Sequence, residues 1–138
     1  MSPKHLLIAE DDDGIARLVA SAAKKAGFES RCVHDGLELT RIYDEFQPEV
    51  IVLDILMPNM DGIETLSFLN TCGRKAQIII LSGQGNYRHW TERMGVAYNL
   101  SIVATVSKPF RMAELRQLFE TIMTAPSSPQ IQMATHGN

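Results

Sequence analysis

Apolar residues along the chain come in short runs, separated by longer stretches in which they recur every third or fourth position. A short apolar run suits a strand buried on both faces, and the longer spacing suits an amphipathic helix. The alternation repeats five times and predicts βα units around a parallel sheet. Strand one is Leu6-Leu7-Ile8-Ala9. A helix from about Asp13 to Ala26 follows, with Ile15, Leu18, Val19 and Ala22 at i, i+3, i+4, i+7 spacing and Gly27 as its C-cap. Strand two spans about Phe28 to Val33, and Asp35-Gly36 turns the chain into a helix carrying Leu37, Leu39, Ile42 and Phe46, closed by Pro48. Strand three, Val50-Ile51-Val52-Leu53, reads as a central strand and stops at Asp54.

A loop with Pro58 and Gly62 precedes a third helix, about Ile63 to Thr71, and strand four is Ile78-Ile79-Ile80-Leu81, ending at Ser82-Gly83. Trp90, Met94 and Ala97 predict a helix over about Tyr87 to Tyr98. Gly95 interrupts it at about 1 kcal/mol relative to alanine. Strand five is about Ile102 to Val106, and after Lys108-Pro109-Phe110 a last helix runs from about Met112 to Met123. The folded domain is thus expected over residues 4–124. Residues 125–138 open with Ala125-Pro126-Ser127-Ser128-Pro129 and read as a linker or flexible tail, too short for an output domain.

The 138 residues suit one domain with one substantial core, and 45% hydrophobic with 21% charged residues exclude a disordered or fibrous chain. A formal net charge of -3 gives no overall basic field for nucleic acid or an anionic membrane. Cys32 and Cys72 form no CxxC pair and have no histidine at metal-ligand spacing, so both are expected as buried free thiols. The apolar run after His5 is too short for a signal peptide or a membrane span, and the expected location is cytoplasmic.

In an open parallel sheet, functional groups collect beyond the carboxyl ends of the strands where the strand order reverses. Strand one delivers Glu10 and Asp11 there, strand three Asp54, strand four Ser82 and strand five Lys108. Were strands one and three neighbours, three carboxylates would converge, and their repulsion calls for a cation. Mg²⁺, or Mn²⁺, suits such an all-oxygen site and leaves room for a phosphate oxygen. Lys108 and the Ser82 hydroxyl add donors for phosphoryl oxygens, so the set describes a phosphoryl-transfer site.

These residues, together with Leu53-Asp54-Ile55-Leu56-Met57-Pro58-Asn59-Met60-Asp61-Gly62 and Lys108-Pro109-Phe110, give the chain a resemblance to the receiver domain of two-component response regulators over about residues 4–124. The resemblance implies a flavodoxin-like (βα)5 fold with strand order 2-1-3-4-5. It also implies that Asp54 accepts a phosphoryl group from a sensor histidine kinase or histidine phosphotransfer protein. Asp11, Asp54 and the Leu56 carbonyl would hold Mg²⁺, Glu10 would support it through waters, and Ser82 and Lys108 would contact the phosphoryl group. Leu56 and Gln84, each two residues beyond a site residue, would tune self-dephosphorylation. Output would pass through the face made by the helix over about 87–98, strand five and the last helix, with a homodimer left open.

Thr105 stands where many receivers have an aromatic residue on strand five, which questions the usual coupling to Ser82 in switching. The long approach from Met94 to Phe110 is similar to that of receivers preceding EAL-type cyclic-di-GMP phosphodiesterase domains, a second reading of the pathway. A haloacid-dehalogenase-type phosphatase is the enzyme alternative, but Leu56 occupies the place of its second aspartate. A degenerate, phosphate-independent module would have lost an acidic residue or the lysine, and all are present. Asp12, Asp13 and Asp61-Gly62 are read as helix-start and turn chemistry. His34 and His89 have no partner at ligand spacing and are read as exposed side chains, and Tyr87 with Trp90 as either a partner-binding patch or a helix face against the sheet.

Overall fold

In the computed structural model, described over residues 4–55, 62–72, 76–83 and 100–124, five strands and four helices follow one another along the chain. They are β1 (His5–Ala9), α1 (Asp13–Lys25), β2 (Glu29–Val33), α2 (Gly36–Phe46), β3 (Val50–Asp54), α3 (Gly62–Asn70), β4 (Gln77–Ser82), β5 (Ser101–Ser107) and α4 (Met112–Thr124). The helix expected over about residues 87–98, with Tyr87, His89 and Trp90, lies outside the described residues.

The strands are parallel and ordered β2-β1-β3-β4-β5, the flavodoxin-like order that the resemblance implies. Each central strand supplies both halves of the core because its side chains alternate faces. On one face Leu6, Ile8, Val50, Val52, Ile79 and Leu81 pack with α1 and α4 residues such as Val19, Leu115 and Phe119. On the other Leu7, Ile51, Leu53, Ile78 and Ile80 pack with Leu39, Tyr43, Leu66 and Leu69. Every residue of β3 from Val50 to Leu53 is fully buried. Truncating Leu53 to alanine would cost about 2–5 kcal/mol through lost burial and a residual cavity.

Local signals place the helix ends. The Asp12 side chain accepts the Ile15 N–H at 3.0 Å, and Asp35 accepts the Glu38 N–H at 2.8 Å, each an N-cap. Gly27, at φ 102, lets α1 finish with the Gly27 N–H on the Lys24 carbonyl and the Phe28 N–H on the Ala23 carbonyl, both at 3.0 Å. Phe28 then turns edge-on to Phe119 of α4.

The buried helix faces differ from the expected stripes. In α1 they are Ala16, Val19, Ala22 and Ala23, while Ile15 is half-buried and Leu18 is 46% exposed. Small residues let α1 approach the sheet and α4 closely, so the alanines, and not the larger side chains, mark the inner face. In α2, Tyr43 joins Leu39 and Phe46 inside, whereas Leu37 is exposed. Cys32 corrects a further expectation: both cysteines stand outside disulfides, but Cys32 is exposed on outer strand β2 and Cys72 is half-buried.

Between β4 and β5 the ladder pairs Ile78 with Ile102 and Ile79 with Ala104, so Val103 is an extra residue in a β-bulge and is exposed. Beyond it the pairing is regular to Ser82 with Ser107.

Candidate functional site

The strand order reverses between β1 and β3, and there the carboxyl ends of four strands bring their polar residues together. Glu10 follows β1 and its N–H donates to the Val33 carbonyl at the end of β2. Asp54 is the last residue of β3, and Ser82 the last of β4. Lys108 follows β5, and its N–H donates to the Ser82 carbonyl at 2.9 Å, which ties the ends of β4 and β5 together. Among the described residues, the buried polar side chains are Glu10, Asp54, Thr65 and Ser82. Three of these four stand at this one end of the sheet.

Carboxylate oxygens of Glu10, Asp11 and Asp54 all lie within 4.8 Å of one another. The Lys108 ammonium lies 2.9 Å from Glu10 Oε1 and 3.4 Å from Asp54 Oδ1. Oε1 is shielded from solvent, and Lys108 meets it as an ion-pair contact without hydrogen-bond geometry. The other oxygen, Oε2, accepts the Asp12 N–H at 3.1 Å.

Burial pushes the Glu10 carboxyl up to about 7, helped by the Asp54 charge and opposed by Lys108 and the Asp12 N–H. Burial draws the Lys108 ammonium down, but its contacts with Glu10 and Asp54 outweigh that and hold it above the ordinary lysine range.

The donor set fits a hard divalent cation: all its donors are oxygens, two of the three carboxylates are buried, the third, Asp11, is exposed, and Oε1 lacks a directed donor. Acidic residues close together need such a charge, and the single Lys108 leaves the cluster net negative.

Asp12 is the N-cap of α1, as expected. Asp13, expected to do the same, is the helix's first residue and pairs with His34 at 3.1 Å. His34 is exposed as expected and contacts Asp13 and Glu38. Thr105 is half-buried on β5 opposite Ile80. Leu56 and Gln84 lie outside the described residues.

Gly62, expected in a turn and helix start, is the first residue of α3 and also a point of close approach. A Cβ there would stand 2.5 Å from Ile55 Cα, 2.6 Å from Ile55 Cδ1 and 3.0 Å from the Asp54 carbonyl oxygen. Its N–H donates to the Ile55 carbonyl at 2.9 Å. Helix α3 therefore starts directly against the backbone that carries Asp54, and only a residue without a side chain fits.

Fold and site define a doubly wound α/β protein with an acidic, lysine-bridged cluster at its switch point. The chain belongs to the family described as the response regulator receiver domain, whose model matches residues 6–120. It is thus a receiver domain of two-component signal transduction, a signalling domain and not a conventional enzyme. It is 26% identical over 123 residues to regulatory protein AtoC of Escherichia coli, covering 89% of this chain but 26% of that protein. The chain therefore spans about a quarter of that relative's length. It is 25% identical over 128 residues to sporulation initiation phosphotransferase F of Bacillus subtilis, covering 93% of this chain and 100% of that one. The solved receiver domain of the Francisella response regulator 1452 superposes with a TM-score of 0.73 at 27% identity, over 88% of this chain and 96% of that one.

Proposed function

We propose that residues 4–124 form a cytoplasmic phospho-accepting switch in which Asp54 takes a phosphoryl group from a sensor histidine kinase or a histidine phosphotransfer protein. One observation carries this reading: three carboxylates meet within 4.8 Å at the switch point, with one lysine bridging Glu10 and Asp54. A carboxylate oxygen of Asp54 forms the new bond to phosphorus. The phosphorus–nitrogen bond to the donor imidazole breaks, and its electron pair returns to that nitrogen.

Asp11, Asp54 and the Leu56 carbonyl are the residues that would hold Mg²⁺ or Mn²⁺, with Glu10 acting through waters. When bound, the cation supplies the charge that lets an anionic carboxylate approach an anionic phosphoryl group. Lys108 neutralises one phosphoryl oxygen, and the Ser82 hydroxyl donates to another. Because the Lys108 N–H rests on the Ser82 carbonyl, movement of Ser82 toward the phosphoryl group carries the end of β5 with it. Output leaves through β5, α4 and the segment over about 87–98, with Thr105 in place of the usual aromatic residue. Leu56 and Gln84 would tune its self-dephosphorylation by excluding or orienting water.

The test is incubation with acetyl phosphate and Mg²⁺, read by intact mass. Wild type gains one phosphoryl group and Asp54→Asn gains none. Equal incorporation by the two proteins overturns the assignment.

A further inference from the structure

Strand β2 forms an outer edge of the sheet. In a strand, the N–H and C=O of one residue point the same way, and successive residues alternate. The Glu29 N–H donates to the Lys4 carbonyl at 2.9 Å, and the Val33 carbonyl accepts from Glu10 at 3.0 Å. Glu29, Arg31 and Val33 therefore address β1, and the main-chain groups of Ser30 and Cys32 point outward. Cys32 is exposed and Ser30 half-buried.

A groove runs along each face of this edge. The one on the α1 side, about 650 Å³, is lined by Arg17, Ala20, Lys24, Phe28 and Glu29. The one on the α2 side, about 360 Å³, is lined by Arg31, Glu38, Arg41 and Ile42, with His34 at its end. A chain of net charge -3 thus places four cations, Arg17, Lys24, Arg31 and Arg41, against three carboxylates along one edge, Glu29, Glu38 and Asp13. All three carboxylates have local partners, Asp13 standing 3.1 Å from His34 Nε2. Glu38 accepts the His34 N–H at 2.6 Å, and Glu29 stands 4.0 Å from His5.

An added strand sends alternate side chains to opposite faces of the sheet, so it would fill both grooves while its backbone pairs with Ser30 and Cys32. Charged side chains on an edge ordinarily repel further strands. Here the excess is of one sign, so it rejects basic strands and selects acidic ones. A second copy of β2 would bring its own flanking Arg17, Lys24 and Arg41 to the same place, which argues against self-pairing. We propose that the β2 edge is a docking surface for an extended acidic segment of a partner protein, which adds beside β2 as a sixth strand.

The test uses the full chain and a terminally blocked octapeptide, (Val-Val-Glu-Glu)2, whose two faces each carry glutamates. Amide exchange of Ser30 and Cys32, followed by NMR, should slow as peptide is added. The double variant Arg17→Glu/Arg41→Glu should weaken binding by about tenfold or more. Arg31 is left in place because its guanidinium sits 5.5 Å from the centre of the Phe46 ring. If the charge-reversed protein fails to fold, Arg17→Gln/Arg41→Gln makes the same comparison at two exposed positions. Equal binding of the peptide with lysine for glutamate overturns the proposal, as does unchanged exchange at Ser30 and Cys32 at saturating peptide. Slowing that depends on protein concentration without peptide also overturns it, in favour of a second copy.

Discussion

Lys108 Nζ lies closer to Glu10 Oε1, at 2.9 Å, than to Asp54 Oδ1, at 3.4 Å, so the lysine that follows β5 is held first by the carboxylate that follows β1. Burial nevertheless keeps the Glu10 carboxyl up at about 7, against its ordinary 4.5. Between those values the folded chain holds a proton that the unfolded chain has released. Where the folded state binds more protons, stability falls as pH rises. Urea unfolding without metal should therefore show Glu10 lowering stability progressively from about pH 5 to about pH 7.5. The wild-type slope minus that of Glu10→Gln isolates the effect, and a difference of opposite sign would contradict it.

The same window should govern the metal. A cation at the carboxylate cluster competes with the Glu10 proton, so Mg²⁺ affinity should rise as pH passes about 7. Calorimetric titrations below and above that pH should differ in wild type and converge in Glu10→Gln.

Replacing Lys108 with methionine keeps the aliphatic stem and removes the cation between two buried carboxylates. Lys108 is 21% exposed, so solvent screens part of the loss, and an apo-protein destabilisation of about 1–3 kcal/mol is expected near neutral pH. It should shrink on acidification, because Glu10 takes up a proton, and shrink on adding Mg²⁺. Thermal melts across pH, with and without the metal, check both.

Gly62→Ala forces a methyl group into Ile55 and toward the Asp54 carbonyl. Overpacking of this kind costs about 1–3 kcal/mol. Because the displaced backbone carries Asp54, labelling by acetyl phosphate should slow even under conditions where circular dichroism shows a fully folded protein. An unchanged labelling rate would separate the helix start from the acceptor.

Much of this was legible in the residues themselves. Val50 to Leu53 could only be a strand covered on both faces, and the acids and lysine stand immediately after apolar runs, where a parallel sheet collects them. Hidden were relationships set by packing between distant segments. Ala16 and Ala23 form the inner face of α1 because the helix lies close to its neighbours, which a reading that weights large apolar side chains cannot see. The exposure of Cys32 depends on β2 being the outermost strand among the described residues. The contact between Gly62 and Ile55 depends on how α3 returns to β3, and a glycine in sequence signals equally a turn and a close approach.

The bulge at Val103 changes what an alignment gap would mean in this strand. Because Ile102 and Ala104 occupy consecutive rungs opposite Ile78 and Ile79, the ladder does not count the residue between them. Loss of one residue from a strand ordinarily inverts the facing of everything downstream. Deleting Val103 would instead leave Thr105, Val106 and Ser107 opposite the same residues of β4, with Lys108 still next in line beyond Ser82. Strand β5 can thus shorten by a single codon without moving the lysine, and length variation among chains of this kind can accumulate at this point while the pocket keeps its geometry.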